Sequence, residues 1–158
     1  MTTTSGYSVD TGYYTFPARL FKASMISSFA VAASDYTAGA YPVKYIFTVI
    51  PVRRVTEGAY LKLEMPAETS VTDRGEMTRK CPRESVSGFS NYYISCTHDP
   101  NNNIITVKDG FKYSESKGDP PTLIFTIPNL KNPRSLRSSG YFNITVYDSS
   151  GEALYYFN

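Results

Sequence analysis

The stretch "YPVKYIFTVIP", Tyr41–Pro51, decides the fold class. Val43, Tyr45, Phe47 and Val49 alternate with Lys44, Ile46, Thr48 and Ile50. That period of two sends one row of side chains to a core and the other outward, as in a strand. The residues are β-branched and aromatic, which suits a pleated surface. Prolines stand at both ends, where a strand tolerates them.

The same signal recurs on either side. "SSFAVAAS" (Ser27–Ser34) is a short apolar strand. "GAYLKLEMP" (Gly58–Pro66) sets Leu61, Leu63 and Met65 against Tyr60, Lys62 and Glu64, the pattern of an antiparallel strand with one wet face. "FSNYYISCT" (Phe89–Thr97), "NIITVKDG" (Asn103–Gly110), "TLIFTIP" (Thr122–Pro128), "GYFNITVYD" (Gly140–Asp148) and "EALYYFN" (Glu152–Asn158) follow. Turn signals divide them: Glu57-Gly58, Asp99-Pro100 with three asparagines, Asp109-Gly110, Asp119-Pro120-Pro121, Asn132-Pro133 and Ser150-Gly151. No window carries a 3.6-residue stripe. The expected fold is an all-β, immunoglobulin-like antiparallel sandwich with Greek-key connections. The polar stretch Ala67–Ser87 reads as an excursion between strands.

Composition agrees. The 158 residues are enough to bury one core. Charged residues are only 19%, while Tyr (14) and Phe (9) dominate the aromatics. A net charge of +2 argues against nucleic acid as partner. No apolar run approaches the ~20 residues of a membrane span, so this segment does not insert in a membrane. "MTTTSGYSVD" lacks the basic and apolar regions of a signal peptide.

The two ends match. "TTTSGYSVDTG" (Thr2–Gly12) and "TVYDSSGEALYYFN" (Thr145–Asn158) each read strand, Ser-Gly turn, strand. Residues 1–15 are thereby expected to be the end hairpin of a preceding repeat, or a linker or donor strand. Residues 16–26 are a linker, and residues 27–158 form the module. Tyr13, Tyr14, Tyr155 and Tyr156 lie in the matching ends, where contact between modules competes with core packing. Strand exchange between neighbouring copies, with residues 2–15 as donor, follows as an assembly hypothesis.

The order of elements resembles the immunoglobulin-like repeat of very large ciliate surface proteins and other protist extracellular proteins. The residues that carry it are Ala38-Gly39-Ala40, "KYIFTVIP", Glu57-Gly58, "LKLEMP", Cys81 and Cys96, "LIFTIPNLKNPRS" (Leu123–Ser135) and "YFNITVYDSSG" (Tyr141–Gly151). The likeness covers about residues 27 to 152. Met65-Pro66 stands where Phe-Pro is usual, and a long basic-polar insert precedes Cys81. The resemblance implies tandem modules without catalytic activity, a structural or adhesive role at the cell surface, and neighbouring repeats as partners. It assigns no functional residues.

Cys81 and Cys96 flank a hairpin-like segment turning at Ser87-Gly88. As a disulfide, a loop of that length contributes ~3 kcal/mol in the chain-entropy model. The pairing is the expectation, and two reduced core thiols are the alternative. Asn143-Ile144-Thr145 is a glycosylation sequon on the polar side of its strand. His98 is the only histidine, so no Ser-His-Asp or Cys-His set can be built, and neither enzyme activity nor a cofactor is expected. Asp99 with Asn101, Asn102 and Asn103 is the best oxygen cluster for calcium, but reads better as a plain turn. Basic residues gather at Arg53-Arg54, around Cys81 (Arg74, Arg79, Lys80, Arg83) and at Lys131, Arg134 and Arg137. Sulfated or other surface glycans are possible partners for such clusters, and solvated loops are the plainer reading. The second function that the composition allows is a carbohydrate-binding β-sandwich module using exposed tyrosines.

Overall fold

A computed structural model describes residues 24–71, 86–91, 93–112, 119–134 and 140–157. Within them the chain forms β1 (Ser24–Met25), β2 (Ser28–Ala33), β3 (Val43–Ile50), β4 (Tyr60–Glu64), β5 (Ser70–Val71), β6 (Ser95–Asp99), β7 (Ile104–Lys108), β8 (Leu123–Lys131), β9 (Asn143–Tyr147) and β10 (Ala153–Phe157). No helix occurs among the described residues, so none is long and apolar enough to cross a membrane.

The strands make two sheets, ordered β1-β10-β9-β4-β7-β6 and β2-β3-β8-β5. Every pair is antiparallel except β1 on β10. Hairpins β2–β3, β6–β7 and β9–β10 stay within a sheet; the connections β3–β4, β4–β5, β7–β8 and β8–β9 cross between sheets. Crossings that leave β3 beside β8 and β4 beside β9 are the Greek-key wiring of an immunoglobulin-like sandwich.

The alternation of β3 is realised residue by residue. Val43, Tyr45, Phe47 and Val49 are buried, and Lys44 and Ile46 are exposed. Leu61 and Leu63 of β4, Ile105 and Val107 of β7, and Ile144 and Val146 of β9 supply the opposing layer. Phe47 stacks on Phe125 at 5.2 Å between ring centroids and meets Phe142 edge-on at 5.5 Å. Phe89 closes one end of this core against Phe111 and Phe125.

Three expected boundaries move. Ser24, Met25 and Ile26 fall in the expected linker yet belong to the sandwich: β1 lies on β10, and Ile26 is buried. Phe89–Asn91, Tyr93 and Ile94 are not strand, and β6 begins only at Ser95. β8 runs past Pro128 to Lys131, because the register against β3 shifts there from Ile127 to Leu130. Asn129, at φ 58°, takes up the bulge, where the missing N–H of Pro128 costs no ladder bond. β8 then stops before Asn132-Pro133, as that dipeptide requires. Residues 1–15, with Tyr13 and Tyr14, lie outside the described residues.

Candidate binding face

The six-stranded sheet turns its polar residues outward. Tyr147, Thr145 and Asn143 of β9 lie opposite Tyr60, Lys62 and Glu64 of β4. Lys62 and Glu64 in turn face Thr106 and Ile104 of β7, and Thr97 and Asp99 of β6 extend the rows. The cross-strand pair Tyr60–Tyr147 stacks at 5.2 Å with its planes 11° apart. Lys62 Nζ stands 5.0 Å from the Tyr147 ring centre and Lys108 Nζ 5.6 Å from that of Tyr60. Ammonium groups over aromatic faces are held by the ring quadrupole. The cluster therefore presents phenols and cations, with one ring face of each Tyr already covered by the other.

Beside Tyr60 opens a cleft of about 400 Å³, lined by Glu57, Lys108, Asp109, Phe111, Lys112 and Ser149 among others. It lies where the β3–β4, β7–β8 and β9–β10 connections meet. Two carboxylates, two ammonium groups and two aromatic rings can hydrogen-bond and stack on a polar, uncharged ligand. Gly58 stands at the rim with φ 74°, and a Cβ there would press on Cβ of Ser149 at 3.0 Å. Asp109 accepts a hydrogen bond from Ser95 Oγ at 2.6 Å, so it is already oriented.

Other polar residues hold loops rather than ligands. Asp99 Oδ1 accepts from Asn101 N (3.0 Å) and Oδ2 from Asn102 Nδ2 (2.7 Å), which keeps its carboxyl below the ordinary range. Asn103 Nδ2 donates to the carbonyls of Met65, Pro66 and Thr69. The "DPNNN" cluster is therefore a turn that latches the β4–β5 connection. No group of metal-ligating side chains assembles among the described residues. His98 lies in β6, with Nε2 3.4 Å from Asn103 Oδ1. Asp148 accepts from Ser150 N, Ser150 Oγ and Glu152 N, and these bonds lower its pKa.

The expected site residues are dispersed. Cys96 is buried on β6, and no free cysteine occurs among the described residues; Cys81 lies outside them. Asn143 is half-buried on the outer face of β9, with Nδ2 3.4 Å from Glu64 Oε2. Tyr155, for which module contact and core packing compete, points into the core and is 7% exposed; burial raises its pKa. Its neighbour Tyr156 lies opposite Thr145, on the outward row. The described basic residues do not converge: Arg53 and Arg54 lie in the β3–β4 connection, Lys131 and Arg134 at the far end of the molecule, and Arg74, Arg79, Lys80, Arg83 and Arg137 lie outside the described residues. Sequence alternation had already put Tyr60 and Tyr147 on polar faces, but not β4 beside β9, which creates their contact.

No protein-family model matches the chain, and no curated protein matches it. Among solved structures, the crystal structure of ChBD2 from Thermococcus kodakarensis KOD1 aligns with 85% of this chain and 99% of that chain. The identity is 13% and the TM-score 0.38. Likeness of that degree defines neither a family nor a ligand for this chain.

Proposed function

We propose that the chain is a non-catalytic structural or adhesive module of an extracellular or cell-surface repeat protein, arranged in series with neighbouring copies. One observation carries this reading: β1 and β10 are adjacent and parallel, Ser24 opposite Tyr155 and Met25 opposite Tyr156. The chain thus enters the sandwich at the end holding the β3–β4 and β9–β10 connections. β10 runs away from that end, parallel to β1. Modules joined that way form a string rather than a cluster. A pull along the string loads the β1–β10 pair, including the Ile26 N to Tyr156 O bond of 2.9 Å, in shear. Force spectroscopy tests it. Pulled through its two ends, the chain should unfold at about twice the force needed when pulled through residues 57 and 150, which lie in adjoining connections at one end. Equal forces would sink the load-bearing reading.

The surface setting also proposes a Cys81–Cys96 disulfide and a glycan on Asn143. Intact mass of the native chain, before and after reduction and deglycosylation, reads both. A second reading, the carbohydrate-binding module, is favoured by the Tyr60–Tyr147 pair beside its cleft. A glycan array with wild type and Tyr60→Ala separates the two. Binding lost in the variant supports the sugar site, and no binding by wild type removes it.

A further inference from the structure

Among the described residues the edge of the four-stranded sheet is formed by β2, which there pairs only with β3. In the antiparallel register Ser28↔Ile50 to Ala33↔Tyr45, Ser34 N donates to Lys44 O at 2.8 Å. Backbone groups of an antiparallel strand alternate in direction. Ser28, Ala30 and Ala32 therefore point their N–H and C=O groups at β3, and Phe29 and Val31 point theirs away from it. The open window is closed at both ends by the chain itself. Ser27 N turns inward to Ile50 O (2.9 Å), and Ala33 N is capped by the Tyr36 hydroxyl (3.2 Å). What is left open is symmetric about Ala30.

Among the described residues this window carries none of the usual protections of a sheet edge. "SSFAVAAS" (Ser27–Ser34) has no charge and no proline, and its register against β3 has no bulge. The outward side chains are Ser28, Ala30 and Ala32, all exposed and all small, so a second strand can approach without collision. Phe29 and Val31 face the core side and are half-buried.

We propose that β2 is a homodimerisation edge, pairing antiparallel with β2 of a second copy across a two-fold axis at Ala30. In that register Phe29 lies opposite Val31 of the other copy, and the reverse. Each such pair exchanges both N–H···O bonds, so the open groups of both copies are satisfied. Ala30 meets its own equivalent in the narrow pair, where Cα atoms approach to about 4.5 Å and only small side chains are at ease. Ser28 faces Ala32 of the other copy. A self-complementary window fits an isologous contact, in which the same patch serves both partners. The outer face then continues inward from β2 along two rows, Ala30–Thr48–Ile124 and Ala32–Ile46–Thr126, across β3 and β8. This association is lateral and does not depend on the serial reading above.

Sedimentation of the 158-residue chain over a concentration series, together with oxidative crosslinking, tests it. The expected result is a reversible dimer. Ala30→Lys should weaken it about tenfold by placing like charges opposite each other, with unchanged thermal stability at concentrations where wild type is monomeric, because Ala30 is exposed there. Ala30→Cys should crosslink on mild oxidation. Ala32→Cys should not, since its equivalent lies about 13 Å away along the strand. Wild type, under the same oxidation, controls for Cys81. A monomer at all concentrations overturns the proposal, as does equal crosslinking of the two variants. Dimerisation that appears only after deletion of residues 1–15 also overturns it, because the edge would then be covered by the chain's own N-terminal segment.

Discussion

Asn132 shows what a single polar residue does in this sandwich. It is 5% exposed, and its Oδ1 accepts from the Tyr45 hydroxyl at 2.6 Å. Its Nδ2 donates to the carbonyls of Asp35 (2.9 Å) and Thr37 (2.8 Å). One amide thus ties β3, the β2–β3 loop and the end of β8 together. Asn132→Ala leaves a buried hydroxyl and two carbonyls without that partner. The expected loss is about 2–4 kcal/mol, read as a lower urea midpoint at unchanged slope. Tyr45→Phe removes only the donor to Oδ1 and should cost about 1–2 kcal/mol. It carries a pH signature as well. Burial raises the Tyr45 pKa above 10.0, so the neutral phenol's contribution is complete below pH 10.0 and falls as pH rises through the folded value. Urea midpoints from pH 8 to 11 should drop less steeply in Tyr45→Phe than in wild type, and an equal slope would refute that assignment. The sequence read Asn132-Pro133 as a strand stop and was right. It could not reveal the side-chain partners, because these lie 87 to 97 residues away along the chain.

Among the elements, legibility follows how far each one depends on its own residues. β3, β4 and β9 alternate so strongly that their buried and outward rows could be read directly, and the structure buries Val43 to Val49, Leu61 and Leu63, Ile144 and Val146 as that pattern requires. β1 and β5 are two residues each, too short to carry a period. Phe89–Ile94 misleads for a different reason. Its aromatic residues suit a strand, and Phe89 and Ile94 are buried. Yet Ser90 Oγ donates to Gly110 O, Asn91 Nδ2 donates to Asp109 O, and Lys112 N donates to Ser90 Oγ. Side chains here take over bonds that a ladder would make. The contact also brings Gly110 against the Phe89 ring, so closely that a Cβ would overlap Cδ1 of that ring. Gly110→Ala should therefore displace Phe89 and cost about 1–3 kcal/mol as overpacking. Thermal unfolding measures it, and Gly140→Ala, where a Cβ meets only ordinary contacts near 3.9 Å, is the control. Equal losses in the two variants would rule out the ring contact as the cause.

For the whole molecule, stability rests on a dry core between the sheets and on hydrogen-bonded turns at its two ends, and pH separates these. The core contains no carboxylate, since Asp and Glu are absent from the buried residues among those described. The turns contain three that matter: Asp35, which accepts from Thr37 N at 2.7 Å, Asp99 and Asp148. In each, hydrogen bonds to the ionised form are the largest influence and hold the pKa below the ordinary 3.8. A depressed folded pKa means stability that is complete above about pH 3.8 and lost as pH falls through the folded values. Acid should accordingly release the ends while the core remains packed. Hydrogen exchange between pH 5 and pH 2.5, corrected for intrinsic rates, should lose protection first at Thr37, Asn101, Ser150 and Glu152. The amides of β3 and β8 should follow only at global unfolding. Asp148→Asn should remove the pH dependence at Ser150 and Glu152 alone, leaving that at Thr37 and Asn101 as in wild type. Simultaneous loss of protection in turns and core would mean that the turns and sheets melt as one unit, and the acid sensitivity would then have to be sought outside these three carboxylates.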